Sequence, residues 1–226
     1  MRNAPQGGWI VVVEVYERHA RLDRKVYMTL DEAIGLSQAL AQRARALAPA
    51  AALAVGLANG AVMPTRIVAT ELGIPFHMVK VRRRGSRLKQ RLSALKRLLR
   101  LPPGLLRHPL VNAFSLAFDR RFGRIEDAGA TFDFPVAGKT VLVIDDCIDS
   151  GASIAHVRDR LKEAGAARVH IAVMCWSNKH DTEASHGVVP DVHLHRRIQY
   201  YPWSINSPHY TAFVAWLDDA GLSLWR

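Results

Sequence analysis

Three carboxylates and a run of small residues fall within one short stretch, Asp145-Asp146-Cys147-Ile148-Asp149-Ser150-Gly151-Ala152-Ser153. Adjacent carboxylates such as Asp145 and Asp146 suit hydroxyl groups, which donate to them, or a metal ion that offsets their charge. They cannot serve a phosphate. The small residues Ser150, Gly151, Ala152 and Ser153 can, because unpaired backbone N–H groups and the helix dipole make an anion site where a helix begins. Phosphate, hydroxyls and Mg²⁺ together describe a phosphorylated sugar.

Such a stretch needs a rigid support, and the flanking sequence supplies one. Val141-Leu142-Val143-Ile144 is an apolar run that suits a strand buried on both faces of a parallel sheet. A helix from Ile154 to Ala164, capped by Gly165, and a strand from Arg168 to Cys175 follow. Upstream, Trp9 to Tyr16 reads as a strand, with Lys25 to Met28 returning beside it as a hairpin. Thr29 caps a helix that opens with Asp31 and Glu32 and runs to about Leu47, where Pro49 stops it. Ala51 to Leu57 reads as a buried strand, Ala58 to Ala61 as a tight turn, and Pro64 as the start of a helix that ends at Gly73 before Pro75. Phe76 to Val81 is the next strand. This alternation predicts an α/β fold, a mostly parallel sheet with helices on both faces. In such sheets ligands sit beyond the carboxyl ends of the strands. Three connections converge there: Ala58 to Ala61, the segment after Val81, and Asp145 to Ser153.

The order of strand, acid pair, small-residue turn and helix resembles the signature loop of the type I phosphoribosyltransferases. The resemblance implies that Asp145 and Asp146 hold the ribose hydroxyls of 5-phosphoribosyl diphosphate and that Ser150 to Ser153 hold its 5-phosphate. It also implies Mg²⁺, carried by the substrate near the acid pair and not held directly by the protein. At the position of Asp149 the 6-oxopurine enzymes have an Asp that hydrogen-bonds the base and is a candidate general base. Asn59, Gly60 and Ala61 resemble the diphosphate-binding loop, although the 6-oxopurine enzymes often carry an Arg or Lys where this chain has Asn59. Lys80 is a further candidate substrate contact. Tyr200-Tyr201-Pro202-Trp203 resembles an aromatic-Pro-Trp element of bacterial and archaeal 6-oxopurine enzymes. The place of their base-stacking aromatic falls here on Ile198, a weaker platform for a purine. The irregular, His-rich part of the chain, 176–208, corresponds to the family's small C-terminal hood. The expected reaction is Mg²⁺-dependent transfer of phosphoribosyl to an acceptor, with a 6-oxopurine base first in line and a homodimer as the assembly.

With 226 residues, 49% apolar and 23% charged, the chain suits one soluble domain with an elaboration. Cys147 and Cys175 provide no disulfide framework and fit a reducing compartment, and Cys147 reads as a small packing residue. The N-terminus lacks the apolar core of a signal peptide, so a cytoplasmic location is expected. His180, His186, His193 and His195 match no established metal spacing, and His193 and His195 would share one face of a strand.

The net charge of +11 has a single source. Eleven of the 31 Lys and Arg lie between Lys80 and Arg107 with no acid among them, and the remaining 20 match the 20 Asp and Glu. Within that segment Leu88, Leu92, Leu95 and Leu99 follow helical spacing, and Arg or Lys fill many positions between them. Leu110 to Phe122 reads as a second helix. The span 82–138 is therefore expected to be a basic helical insertion. It suggests two other readings: phosphoribosyl transfer to a saccharide or lipid-linked acceptor at an anionic membrane reached through 87–101, or a regulator that senses phosphoribosyl diphosphate and binds nucleic acid. Under the membrane reading the protein co-sediments with anionic vesicles at low salt and loses that binding when Arg91, Lys96 and Arg97 become Glu. Failure of the unaltered protein to sediment would remove the membrane reading.

Overall fold

The computed structural model describes residues 27–57, 59–81, 132–177, 186–196 and 199–224. The basic segment 82–131, the expected strand from Trp9 to Tyr16, Ala58, His180 and Ile198 lie outside the described residues. Residues 27–80 and 132–224 fall in one compact unit.

Helix α1, Leu30–Leu47, starts where the sequence places it. Thr29 Oγ1 accepts from the Glu32 backbone N–H at 3.3 Å and Glu32 Oε2 accepts from the Thr29 N–H at 2.8 Å, a reciprocal capping box. Its buried residues Ala33, Leu36, Leu40, Ala41 and Ala44 recur at helical spacing. Strand β1, Leu53–Leu57, is buried along its whole length. A 3-10 turn, Asn59–Ala61, leads into α2, Val62–Leu72, which ends at Gly73 in the left-handed region with φ +69°. Strand β2 is Phe76–Val79. Then come β3, Thr140–Ile148, helix α3, Ala152–Glu163, strand β4, Arg168–Trp176, strand β5, Val192–His195, and helix α4, Tyr210–Asp219.

All five strands are parallel, in the order β2-β1-β3-β4-β5. From β1 the chain crosses through α2 toward one edge, and from β3 it crosses through α3 toward the other. Right-handed crossovers in opposite directions put α2 and α3 on opposite faces. The packing agrees: Ala54, Leu142, Ile144, Ala172 and Met174 share a core with α1, α2 and α4. The alternating Val141, Val143 and Val173 are equally buried but outside that cluster, on the face where α3 contributes Ile154, Val157 and Leu161. The expected parallel sheet with helices on both faces is thus present. Its strand order reverses between β1 and β3, the place where sheets of this order bind ligands.

Three expectations change. β3 does not stop at the acids but runs through them to Ile148, because Cys147 and Ile148 stay in register with Cys175 and Trp176 of β4. The span 176–208 is not irregular throughout, since β5 adds a fifth strand to the sheet. Val192 and Leu194 point into the core and His193 and His195 alternate with them, so the two histidines do share a strand face. Residues 132–138, assigned to the insertion, include Phe134, which is buried and stacks on His77 of β2 with ring centroids 4.0 Å apart. Of the expected hairpin, Tyr27 pairs with Tyr200, and the Met28 N–H donates to the Tyr200 carbonyl at 2.9 Å.

Gly56 of β1 sets the separation of sheet and helix. A Cβ there would overlap Thr65 Oγ1 of α2 and the Met78 side chain of β2, and Thr65 Oγ1 is buried with no partner among the described residues. Gly56→Ala should cost about 1–3 kcal/mol in chemical denaturation, and part of that loss should return in the Gly56→Ala, Thr65→Ala double variant. Unchanged stability in the single variant would show that α2 is not held this closely.

Candidate active site

The carboxyl ends of β1, β2 and β3 lie along one edge of the parallel sheet, and each carries residues singled out by sequence. The turn Asn59–Ala61 follows β1, exposed Lys80 follows β2, and Asp145 and Asp146 occupy the last part of β3. Asp149 is exposed just beyond β3, and Ser150 leads to Gly151, whose φ of +75° turns the chain into α3. Only a residue without Cβ adopts that conformation freely. Among the described residues no side chain caps the start of α3, and its first N–H groups, from Ala152 and Ser153 onward, stand at the helix start where the sequence places an anion.

The closest convergence is at Asp146. A Cβ on Gly60 would overlap the Asp146 carboxylate, so glycine in the turn after β1 lets the two loops meet. From the other side the Trp203 indole Nε1–H donates to Asp146 Oδ2 at 2.6 Å. Trp203 is held by its neighbours, stacking on Tyr201 at 4.6 Å and 14° and meeting Phe213 of α4 at 5.9 Å. The Tyr201 hydroxyl lies 3.1 Å from His195 Nε2 and donates over 3.5 Å to the Asp146 carbonyl. Asp145 turns back on the strand, its Oδ1 accepting from the Asp146 N–H at 2.9 Å.

These contacts set opposing influences on Asp146. Burial raises its pKa above the ordinary carboxylate value, and hydrogen bonds from Trp203, Asp145 and the backbone of Cys147 and Asp146 pull it down. Beneath it Cys147, Cys175 and His195 stand in register across β3, β4 and β5. The bond between the two thiols lowers Cys175 to about 6, helped by His195, and raises Cys147. Cys147 therefore keeps its proton and packs, as its sequence context suggested. Burial also raises Tyr201. Among the described residues no group of three or more His, Cys, Asp or Glu side chains is placed to hold a metal ion. The Trp203 contact spans 57 positions. The Tyr-Pro-Trp element was visible in the sequence, but nothing local ties it to Asp146.

A family model described as "Phosphoribosyl transferase domain" matches residues 32–203. In structure the chain is similar to a purine phosphoribosyltransferase from Pyrococcus horikoshii, at 20% identity and TM-score 0.54, over 79% of this chain and 93% of that one. It is similar to a hypothetical protein from Neisseria gonorrhoeae with bound ppGpp, at 18% identity and TM-score 0.55, over 88% and 97%. It is also similar to a xanthine-guanine-hypoxanthine phosphoribosyltransferase from Helicobacter pylori, at 12% identity and TM-score 0.52, over 85% and 99%. No curated protein matches the chain in sequence. The fold, the strand-loop-helix that carries the acid pair and the match over 32–203 lead to one conclusion: the chain belongs to the phosphoribosyl transferase domain family and is a phosphoribosyltransferase.

Proposed function

We propose that the protein transfers phosphoribosyl from 5-phosphoribosyl diphosphate to a 6-oxopurine base with the help of Mg²⁺. The observation that carries the reading is Asp149, exposed between an acid pair and the start of α3. A carboxylate at this point can accept the ring N–H of a base and take its proton. The 5-phosphate would lie on the N–H groups of Ser150, Gly151, Ala152 and Ser153, and the ribose hydroxyls on Asp145 and Asp146. The backbone of Asn59, Gly60 and Ala61 would face the diphosphate, with Lys80 adding a cation to the same edge. The purine and xanthine-guanine-hypoxanthine enzymes among the structural relatives support the choice of base without fixing it, since they share the fold at low identity.

Departure of diphosphate leaves a cation-like sugar, so the site must fix the ribose, stabilise positive charge and position the nucleophile. In this reading Asp145 and Asp146 would lie where that charge develops. Mg²⁺ would be carried by the substrate near Asp145 and Asp146, completing its shell from substrate oxygens and water. When bound, it offsets the charge of the leaving diphosphate.

Asn59 favours a second reading with the same donor. An amide in place of a cation weakens the hold on diphosphate relative to the 6-oxopurine enzymes, which leaves room for a saccharide or lipid-linked acceptor. One assay separates the two readings. Under the purine reading, hypoxanthine, guanine or xanthine drives consumption of phosphoribosyl diphosphate, and Asp149→Asn slows it by about 10²–10⁴-fold. No consumption with any of the three bases, together with turnover in the presence of a sugar acceptor, would replace the first reading with the second.

A further inference from the structure

We infer that Trp203 is a positioning residue for the donor site, holding Asp146 in the orientation that receives the ribose. The inference rests on the proposal that Asp146 contacts the donor. A carboxylate at the end of a strand has two rotatable bonds and several ways to point. Here its direction is fixed from outside its own loop. Trp203 Nε1–H donates to Oδ2 at 2.6 Å, and the Gly60 turn closes against the same carboxylate. The indole cannot easily turn away, because its ring lies on Tyr201 and against Phe213, both among the buried residues. Tyr201 is in turn tied to His195 at the end of β5. Thus the segment after β5 fixes a side chain on β3, and β1 contributes the small residue that makes room.

A hydrogen bond from a neutral N–H to a carboxylate favours the ionised form. Asp146 is half-buried, and its desolvation favours the neutral form, so the Trp203 bond opposes that effect. Among the described residues, the other titratable groups around Asp146 are Asp145 and Cys147 on its own strand, Cys175 on β4, and Tyr201 with His195 behind it. The turn Asn59–Ala61 brings none. Trp203→Phe keeps an aromatic ring for the stack and removes the N–H together with part of the indole. Without it Asp146 takes up a proton at higher pH, so donor binding should fail at higher pH as the solution is acidified.

The test is calorimetric titration of the full chain with Mg²⁺ and phosphoribosyl diphosphate between pH 5.5 and 8, on the unaltered protein, Asp146→Asn and Trp203→Phe. At neutral pH the loss of one charge-assisted hydrogen bond should weaken binding about tenfold or more in Trp203→Phe. The acid limb of its binding profile should also move to higher pH. If the unaltered protein binds and Asp146→Asn does not, yet Trp203→Phe matches the unaltered protein in both affinity and pH profile, Trp203 plays no positioning role. If Asp146→Asn binds as well as the unaltered protein, the underlying placement of the donor is wrong instead. Should Trp203→Phe not fold, the indole N–H resonance of Trp203 in the unaltered protein decides: it should shift with donor saturation, and indifference to donor would overturn the inference.

Discussion

A half-buried carboxylate, Asp146, joins the parts of this structure that matter for its chemistry. Taking a charge out of water is costly unless it is met by hydrogen bonds or by an opposite charge. Asp146 meets that requirement with the Trp203 indole and backbone N–H groups. The loop after β1 can close on it only because residue 60 is glycine. Three connections that are far apart in the chain, after β1, within β3 and after β5, therefore meet at one oxygen pair.

The sheet explains why they meet there. With β1 and β3 adjacent and crossovers running outward in opposite directions, the connections leaving the two strands start side by side where the strand order reverses. The turn Asn59–Ala61 follows β1, and the Asp149–Ser153 turn follows β3. The first offers small residues, and the second offers carboxylates and a helix start. Under the proposed function these would meet the diphosphate, hydroxyls and terminal phosphate of the donor.

Much of this was legible in the sequence because it depends on neighbours in the chain. Thr29 and Glu32 mark the start of α1 through a box closed over three residues, Gly73 marks the end of α2, and the apolar run before Asp145 marks a buried strand. The candidate loop was found for the same reason, since its acids, small residues and helix are contiguous. What was missed depends on pairing across the fold. Carboxylates are poor strand formers, so β3 seemed to end at Ile144, whereas its register with β4 carries it to Ile148. In β5 two histidines occupy the alternate positions and conceal a strand of only four residues. The bond from Trp203 to Asp146 leaves no trace in spacing, because β4 and β5 lie between its partners.

The central claim is that the donor's phosphoribosyl group lies across the ends of β1 and β3. Crystallisation of the protein with Mg²⁺ and 5-phosphoribosyl diphosphate tests it most directly. The account predicts the 5-phosphate on the backbone N–H groups of residues 150–153 and the ribose hydroxyls within hydrogen-bond distance of Asp145 or Asp146. Density for the donor on the basic segment between Lys80 and Arg107, with the Asp145–Ser153 loop unengaged, would contradict it.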